Sequence, residues 1–514
     1  MGGPFSADAW SAMTRQAHYE KATLHAVVAL SSLHEHYQKL DRPSGNALQF
    51  AIQQYGKAIR EVMRLDVAKS PGAASVALSA CLLFASFESL QGHYPTALTH
   101  LNAGLTLLQG LSIGPHSTRA SPCAFQTMAC LFRTIKTQLL EIRDPGAQWT
   151  ESEGFLETPV GFLTGFSTLE EAMTSLEVIR SAHFQCFDYA TQKVASITDE
   201  KRDLLTNRIK ELAEALEDWS TNFDSLLYEH PDLKRSALVG DNPALLLLQI
   251  HRATLVITLS FSFASCDVSI DTFGPEFRTI LSAAARIIDP SLSSPHHSPQ
   301  DESKVEHAYS RRKEASSDVD LLLWRGAGSL ICTPLSQNLG PIPTSEDDVH
   351  CTINNKEHTP SEVPPINSFS DALNLDSTPI LKPTFSVGLG IIYPLFIVCA
   401  HCWDARLRLQ AFHLLKICNR KEGIWDSQVT ARVAEMVIIL EEQETLKEFQ
   451  RSGRPFNPLT TVASEVPDHA RIRWLSVKFA SETEAHIKYR MDRDKVPPGF
   501  PSIEQRTHLN ILKW

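Results

Sequence analysis

Apolar residues recur three and four positions apart along most of the chain. From about residue 18 to 290, segments with this spacing alternate with short breaks rich in Gly, Pro, Ser or Asp. Positions three and four apart share one face of a helix, so the pattern predicts amphipathic helices. Helices are predicted at 20–40, 46–66, 73–91, 95–110, 123–142, 168–193, 199–228, 243–266 and 275–289. The pattern therefore predicts an all-α fold, with the first part of a large multi-helix domain over residues 1–289.

The pattern changes between residues 290 and 383. Ser, Pro and acidic residues dominate stretches such as SLSSPHHSPQDESK, and only LLLWRGAGSLIC at 321–332 is strongly apolar. Such a composition buries too little apolar surface to offset the entropy lost on ordering. We predict a low-complexity, mostly disordered insertion over 290–383.

Helical spacing returns after this segment, at 389–402, 404–418 and 426–449. Asp404 and Asp426 precede two of these segments and are predicted N-caps, because a carboxylate can accept from the first free backbone N–H groups. Residues 384–450 therefore form the predicted closing part of the helical domain.

The C-terminal extension, residues 451–514, follows a different pattern. Its stretches RIRWLSVKF and AHIKYRM alternate polar and apolar residues with a period of two, and SETE lies between them. This alternation is typical of strands with one buried face. We predict a small β-hairpin at 471–491.

Composition and charge limit the functional classes. The 514 residues are 43% hydrophobic and 21% charged, which is typical of a globular protein. The net charge is −11, and the densest basic clusters, Arg311-Arg312-Lys313 and the Arg471/Arg473/Lys478 group, have acidic or apolar neighbours. Binding of nucleic acid through a basic surface is therefore not supported.

The ten cysteines are too sparse for a disulfide framework in a chain of this length, and they indicate a reduced intracellular compartment. The start, MGGPFSADAWSAMTRQ, lacks the basic and apolar regions of a signal peptide. No stretch of eighteen residues is apolar without polar interruption. We expect neither secretion nor a membrane span.

Motifs for catalysis or metal binding are incomplete. The chain has no P-loop and no G-x-S-x-G, and Gly388-Leu389-Gly390 is too short for a dinucleotide fingerprint. His34-Glu35-His36-Tyr37-Gln38 approaches H-E-x-x-H, but Gln38 stands where the second histidine ligand is required. Cys399 and Cys402 have C-x-x-C spacing, but within a strongly apolar segment that favours packed free cysteines. We assign no catalytic, cofactor-binding or metal residue, expect no cofactor, and predict that the protein is not an enzyme.

One stretch combines several reactive residue types. LSACLLFASFESLQGHYPTALTHLNAGLTLL, residues 78–108, contains a cysteine, a glutamate and two histidines among mostly apolar positions. Its apolar spacing predicts a helix buried all round, a turn at Gly92, and a second helix in which Gly104 permits close approach. The local geometry of the predicted helices and turn does not by itself place His93 or His100 next to Glu88 or Cys81. We therefore interpret the stretch as a helical hairpin whose polar residues have no catalytic role.

The same stretch resembles the fungal-specific transcription factor domain, the regulatory region of fungal zinc binuclear cluster transcription factors. The matching residues are Leu78, Ala80, Cys81, Leu82, Leu83, Phe84, Phe87, Glu88, Leu90, Gly92, Ala97, Leu98, His100, Leu101, Gly104, Leu105 and Leu108. A second stretch, PLFIVCAHCWDARLRLQAFHLLKICNRKEGIWDSQVTARVAEMVIILEE at 394–442, resembles the closing block of this domain, with departures at Trp403 and Lys421. The resemblance covers about 5–289 and 384–490.

The resemblance implies a nuclear transcriptional regulator that acts through protein partners or a small effector, with control of a metabolic pathway as an expected role. Members of the family normally carry an upstream six-cysteine zinc cluster that reads the major groove. The chain contains no C-x-x-C-x-x-x-x-x-x-C run, so we expect no direct DNA contact through such a cluster. The oligomeric state stays open between a homo-oligomer and a hetero-oligomer.

Two other functional classes stay open. A helical scaffold or adaptor is suggested by Gly92-His93-Tyr94-Pro95-Thr96-Ala97-Leu98, which is similar to a phrase of tetratricopeptide repeats, although it does not recur every thirty-four residues. A pathway enzyme is the third interpretation, because catalytic residues can assemble from distant positions without a local motif.

Overall fold

The structure is a computed structural model. It describes residues 7–39, 45–66, 71–113, 122–142, 165–193, 198–263, 270–289, 381–456, 462–481, 483–491 and 508–513. The predicted insertion at 290–383 lies outside these residues, except for its last three positions.

The described residues are mainly helical, which confirms the all-α prediction. The helices before the predicted insertion are α1 (Ala7–Ala17), α2 (Lys21–Gln38), α3 (Gly45–Val62), α4 (Pro71–Gln91), α5 (Tyr94–Ile113), α6 (Pro122–Ile142), α7 (Leu169–Lys193), α8 (Asp199–Glu229), α9 (Pro231–Val239), α10 (Pro243–Phe263) and α11 (Gly274–Ile288). Those after it are α12 (Ile392–His401), α13 (Ala405–Ile417) and α14 (Ser427–Arg451).

The apolar spacing located most helices to within a few residues, but it missed α1 and α9. Both are short, so each contains too few apolar positions for a clear period. The bounds of α9 have local causes: Pro231 begins it, and Gly240 ends it in the left-handed conformation at φ 72°. The predicted N-caps are confirmed, because Asp404 accepts from the backbone N–H of Leu407 and Asp426 from that of Val429.

Two small sheets accompany the helices. The first contains β1 (Thr384–Ser386), β2 (Arg420–Glu422) and β3 (Trp425–Asp426), in the order β1-β2-β3. This sheet was not predicted from the sequence, because strands of two or three residues have no detectable period. Glu422 anchors it to the helices by accepting from the backbone N–H of Ile392 at 2.9 Å.

The second sheet contains β4 (Ile472–Ser481), β5 (Glu484–Met491) and β6 (His508–Lys513). β4 and β5 form the antiparallel hairpin predicted at 471–491, so that prediction is confirmed. β6 was not predicted; it pairs antiparallel with β5.

The helices before and after the predicted insertion share one core. α12 contacts α10 and α11, and α13 contacts α11. Leu389, which precedes α12, packs in the apolar cluster that contains Trp219 of α8 and Leu248 of α10. The His251 imidazole of α10 lies 2.8 Å from the carbonyl oxygen of Gly390.

Among the residues that the structure describes, two helices, α4 and α10, are long and apolar enough to cross a membrane by length and composition. Their most apolar windows, Gly72–Gln91 and Pro243–Ser260, are however 83% and 67% buried within the fold. Burial of this extent is typical of central helices in a globular core.

Candidate functional site

A cleft lies where α12, α14, β3 and β4 meet. Its cavity volume is about 60 Å³, and the cleft is partly open to solvent. It is lined by Glu141, Ile142, Tyr393, Phe396, Ile397, Ala400, His401, Ile424, Trp425, Asp426, Val429, Thr430, Val433, Val437, Ile472, Leu475 and Val477. A concave, mostly apolar surface with a few polar groups is typical of ligand sites.

Two aliphatic walls follow directly from the spacing of the sequence. Val429, Val433 and Val437 are four residues apart on α14, so they lie on one face of the helix. Leu475 and Val477 are two apart on β4 and share one face of the strand. A shift of register between Ile472 and Trp474 brings Ile472, three residues before Leu475, into the same wall.

Aromatic rings close one end of the cleft. The Trp425 ring centroid lies 5.5 Å from that of Tyr393 and 6.2 Å from that of Phe396. Such distances are favourable for tilted aromatic pairs. Each of the three side chains is less than 10% exposed.

A buried ionic cluster holds Trp425 in place. The Trp425 indole N–H donates to Oε2 of Glu141 at 3.0 Å, and Oε1 of Glu141 accepts from Arg180. Arg180 also donates through Nε to Glu177 at 2.8 Å, and Glu177 accepts from the hydroxyl of Thr137 at 3.0 Å. The cluster links α6 and α7 to the aromatic end of the cleft.

Burial has different consequences for the pKa of Glu141 and for that of Arg180. It raises the pKa of the Glu141 carboxyl to about 7, because the ionised form loses hydration. Burial also disfavours the charge on Arg180, but the neighbouring Glu177 and Glu141 outweigh this effect and raise the pKa of Arg180. The guanidinium therefore stays charged between two acidic groups.

A second buried ion pair supports the opposite wall. Glu441 of α14 accepts from Arg408 of α13 and, at 2.6 Å, from the backbone N–H of Ile472 in β4. Arg408 also donates through Nε to the carbonyl oxygen of Cys399 in α12, at 2.7 Å. This pair therefore joins α12, α13, α14 and the start of β4.

Asp426 lines the cleft and has several partners. Oδ1 caps α14 by accepting from the backbone N–H of Gln428 at 2.9 Å, and Oδ2 accepts from the Tyr94 hydroxyl at 3.2 Å. Lys421 pairs with Oδ2 at 3.2 Å and donates to the carbonyl oxygen of Leu90. The closing part of the domain is thus joined to the α4–α5 hairpin.

One histidine of that hairpin, His93, contacts Glu88 although residue spacing did not predict it, and His100 reaches Glu88 only through Tyr55. His93 Nδ1 lies 2.8 Å from Oε2 of Glu88, and His100 Nε2 lies 3.1 Å from the Tyr55 hydroxyl, which donates to Oε1 of Glu88 at 2.6 Å. Gly92 adopts φ 86° and turns the chain so that the His93 N–H donates to the Glu88 carbonyl. Tyr55 comes from α3, so no spacing within residues 78–108 could indicate it.

This cluster has the character of a structural network. Each of its polar side chains has a partner, and desolvation lowers the pKa of His100. Cys81 lies apart from the network, and burial raises the pKa of its thiol to about 11, which keeps it protonated. The arrangement brings no activated nucleophile to Glu88.

The residues of the two incomplete metal motifs, at 34–38 and 399–402, do not form a metal site in the part of the chain that the structure describes. Glu35 forms an exposed ion pair with Lys39, and the His34 ring centroid lies 6.4 Å from that of Phe385. Cys399 and Cys402 are both buried, and burial raises the pKa of the Cys399 thiol. Across the residues that the structure describes, no three His, Cys, Asp or Glu side chains gather closely enough to hold a metal ion.

Sequence reasoning did not assign the residues of the cleft. Its lining comes from α12, β3, α14 and β4, which lie within one stretch of the chain, and from α6, which lies far before them in the sequence. The one indication was the stretch GIWDS at 423–427, which lies within the closing block of the family resemblance.

Comparison with known proteins gives one informative relative. The aspercryptin biosynthesis cluster-specific transcription regulator of Emericella nidulans is 24% identical over 488 residues, which cover 94% of this chain and 75% of the relative. The chain is similar to a fungal transcription regulator. No family model matches the chain, and no solved structure matches it.

Proposed function

We propose that this protein is a nuclear, pathway-specific transcription regulator that controls genes of a biosynthetic cluster. The observation that carries this proposal is the alignment over 94% of the chain with a cluster-specific transcription regulator. An alignment of this extent includes most of both helical parts, so it is consistent with a shared architecture rather than one shared motif. The residues that resemble the fungal-specific transcription factor domain support the same function.

We further propose that the protein regulates by binding and not by catalysis. The acidic side chains around the cleft hold structural positions: Glu141 pairs with Arg180, Glu441 pairs with Arg408, and Asp426 caps α14. The buried cysteine of α12, Cys399, has a raised pKa and is a poor nucleophile. This chemistry favours a module that responds to protein partners or to a small effector.

The proposed route to DNA is indirect for this chain. With a net charge of −11 and no six-cysteine run, it lacks the features of direct recognition through a zinc cluster. Protein partners that carry a DNA-binding module would bring it to its target genes.

The test is to delete the gene and measure the transcriptome together with chromatin occupancy of a tagged protein. We expect a defined set of clustered genes to change expression, the tagged protein to be nuclear, and its occupancy to concentrate near those genes. Reintroduction of the wild-type chain should restore expression. Unchanged transcripts under all inducing conditions, or a protein held outside the nucleus, would contradict the proposal.

A further inference from the structure

We infer that the cleft between α12, α14, β3 and β4 binds a small, neutral, mainly apolar molecule whose ring or short chain packs against Trp425. This inference rests on the proposed function for its biological meaning, since it identifies the chemical class of effector that such a regulator would bind. The binding itself is a property of the cleft and can be tested separately.

The size of the cleft favours a small molecule over a peptide. Its cavity volume is about 60 Å³, below the roughly 150 Å³ of a cavity that accommodates benzene. One ring or a short branched chain can therefore enter the cleft only in part, with its remaining atoms exposed to solvent. A peptide would leave most of its atoms outside the cleft.

The walls of the cleft favour an apolar ligand. Val429, Val433 and Val437 of α14 line it, together with Leu475 and Val477 of β4. None of these side chains can donate or accept a hydrogen bond, so a polar group placed between them would lose its hydration without compensation. The aromatic rings of Phe396 and Trp425 add flat surfaces on which a planar group can pack.

The polar end of the cleft disfavours an anion. The two carboxyl groups of Glu141 and Glu177 share the single guanidinium of Arg180, so the positive charge of Arg180 is already paired and is not offered to a ligand anion. Asp426 adds a further carboxylate, which is balanced by Lys421. A ligand hydroxyl could donate to a remaining lone pair of Glu141 or Asp426, whereas a ligand carboxylate would be repelled.

The position of Trp425 provides a direct test. The chain contains eight tryptophans, and labelling with 5-fluorotryptophan gives each a fluorine NMR signal. Loss of one signal in Trp425→Phe assigns that residue. Benzyl alcohol is the neutral probe, and benzoate is an anionic probe of nearly the same size. We expect benzyl alcohol to shift the Trp425 signal saturably, and benzoate at equal concentrations to leave it unchanged.

Two Val→Leu substitutions distinguish a loss of ligand binding from a general loss of stability. Val433 lines the cleft, whereas Val398 of α12 is fully buried and does not line it. In Val433→Leu the added methylene should occupy the ligand volume and weaken benzyl alcohol binding by about tenfold, with the melting temperature retained. In Val398→Leu the added methylene would overpack a site that is already filled by neighbouring side chains. This variant should therefore lose stability and keep the wild-type affinity for benzyl alcohol.

Three results would overturn the inference. These are the absence of a saturable shift with benzyl alcohol, equal shifts with benzyl alcohol and benzoate, and equal affinity in Val433→Leu and the wild type. If benzyl alcohol binds as expected but gene deletion leaves all transcripts unchanged, the cleft is a ligand site and the proposed regulatory function is wrong. The two failures are therefore distinguishable.

Discussion

At the scale of single residues, Tyr55 shows how one hydroxyl organises a buried polar cluster. It donates to Glu88 at 2.6 Å and lies 3.1 Å from His100, while Glu88 is only 7% exposed. A buried carboxylate that loses a donor keeps its desolvation cost, and this makes the loss larger than the net value of one hydrogen bond.

We therefore expect Tyr55→Phe to lower the free energy of unfolding by about 1–3 kcal/mol, as measured by urea denaturation. Tyr228 is 79% exposed and serves as the matched control. Tyr228→Phe should change stability by less than about 0.5 kcal/mol. Equal effects of the two substitutions would show that the Glu88 cluster makes no specific contribution.

His251 makes stability depend on pH. Burial lowers the pKa of its imidazole to about 3, and one ring nitrogen lies 2.8 Å from the carbonyl oxygen of Gly390. Because the folded protein holds the ring neutral while the unfolded chain protonates it near pH 6.5, the stabilisation is present above pH 6.5 and is lost as the pH falls toward 3.

In His251→Gln an amide N–H can still donate to Gly390, but the group no longer titrates. Between pH 6 and 4 the wild-type protein should lose stability more steeply than this variant, by up to about 1.4 kcal/mol per pH unit. Urea denaturation at a series of pH values measures the difference. His18→Gln, at an exposed position, is the control and should keep the wild-type slope. Parallel curves for wild type and His251→Gln would exclude this account of the buried imidazole.

At the scale of secondary structure elements, Gly104 determines how closely α5 approaches its neighbours. A Cβ atom at this position would lie 2.4 Å from the Phe132 ring of α6 and 3.1 Å from the Cβ of Cys81 in α4. Phe132 is fully buried, so its ring has no free space into which it could move. The glycine therefore permits three helices to meet in one place.

Gly104→Ala should destabilise the protein by about 1–3 kcal/mol through overpacking. Gly110 lies on the same helix and provides the matched control, because a Cβ atom added there would have no neighbouring atom within 4 Å. Gly110→Ala should stabilise the protein by about 0.5–1 kcal/mol, because alanine favours the helix. Thermal unfolding of both variants measures the contrast, and opposite signs are expected. A stabilising effect at both positions would contradict the close approach.

At the scale of the whole molecule, the parts on either side of the predicted insertion depend on each other. Gln138 of α6 donates to the carbonyl oxygen of Gly388, and Trp425 of β3 donates to Glu141 of α6. Leu389 packs into the apolar cluster of α7, α8 and α10. Each part would expose these apolar and polar groups if it were alone, so the two should fold as one unit.

Co-expressed fragments 1–295 and 379–514 should therefore associate and purify together, since they contain the two segments of the compact unit. Leu389→Asp in the second fragment should abolish association, because it buries an unpaired charge between the fragments. Leu509 is 57% exposed, and Leu509→Asp should leave association intact. Affinity purification through a tag on one fragment gives the readout. Fragments that purify separately would refute the shared core.

The sequence by itself determined the helices and the C-terminal hairpin. Their periods of 3.6 and 2 come from local backbone geometry, and the caps at Asp404 and Asp426 depend on residues only two or three positions away. Short elements such as α9 and the strands β1–β3 escaped prediction, since they hold too few residues to show a period.

Only the tertiary structure decided the cleft and the buried polar clusters. Glu141 and Trp425 are 284 positions apart, and Tyr55 reaches Glu88 from a different helix. Sequence periodicity shows which face of an element is apolar, but it does not identify the element that covers that face. Partner choice depends on the packing of all elements at once, and this is why the candidate site became visible only when α12, α14, β3 and β4 were placed together.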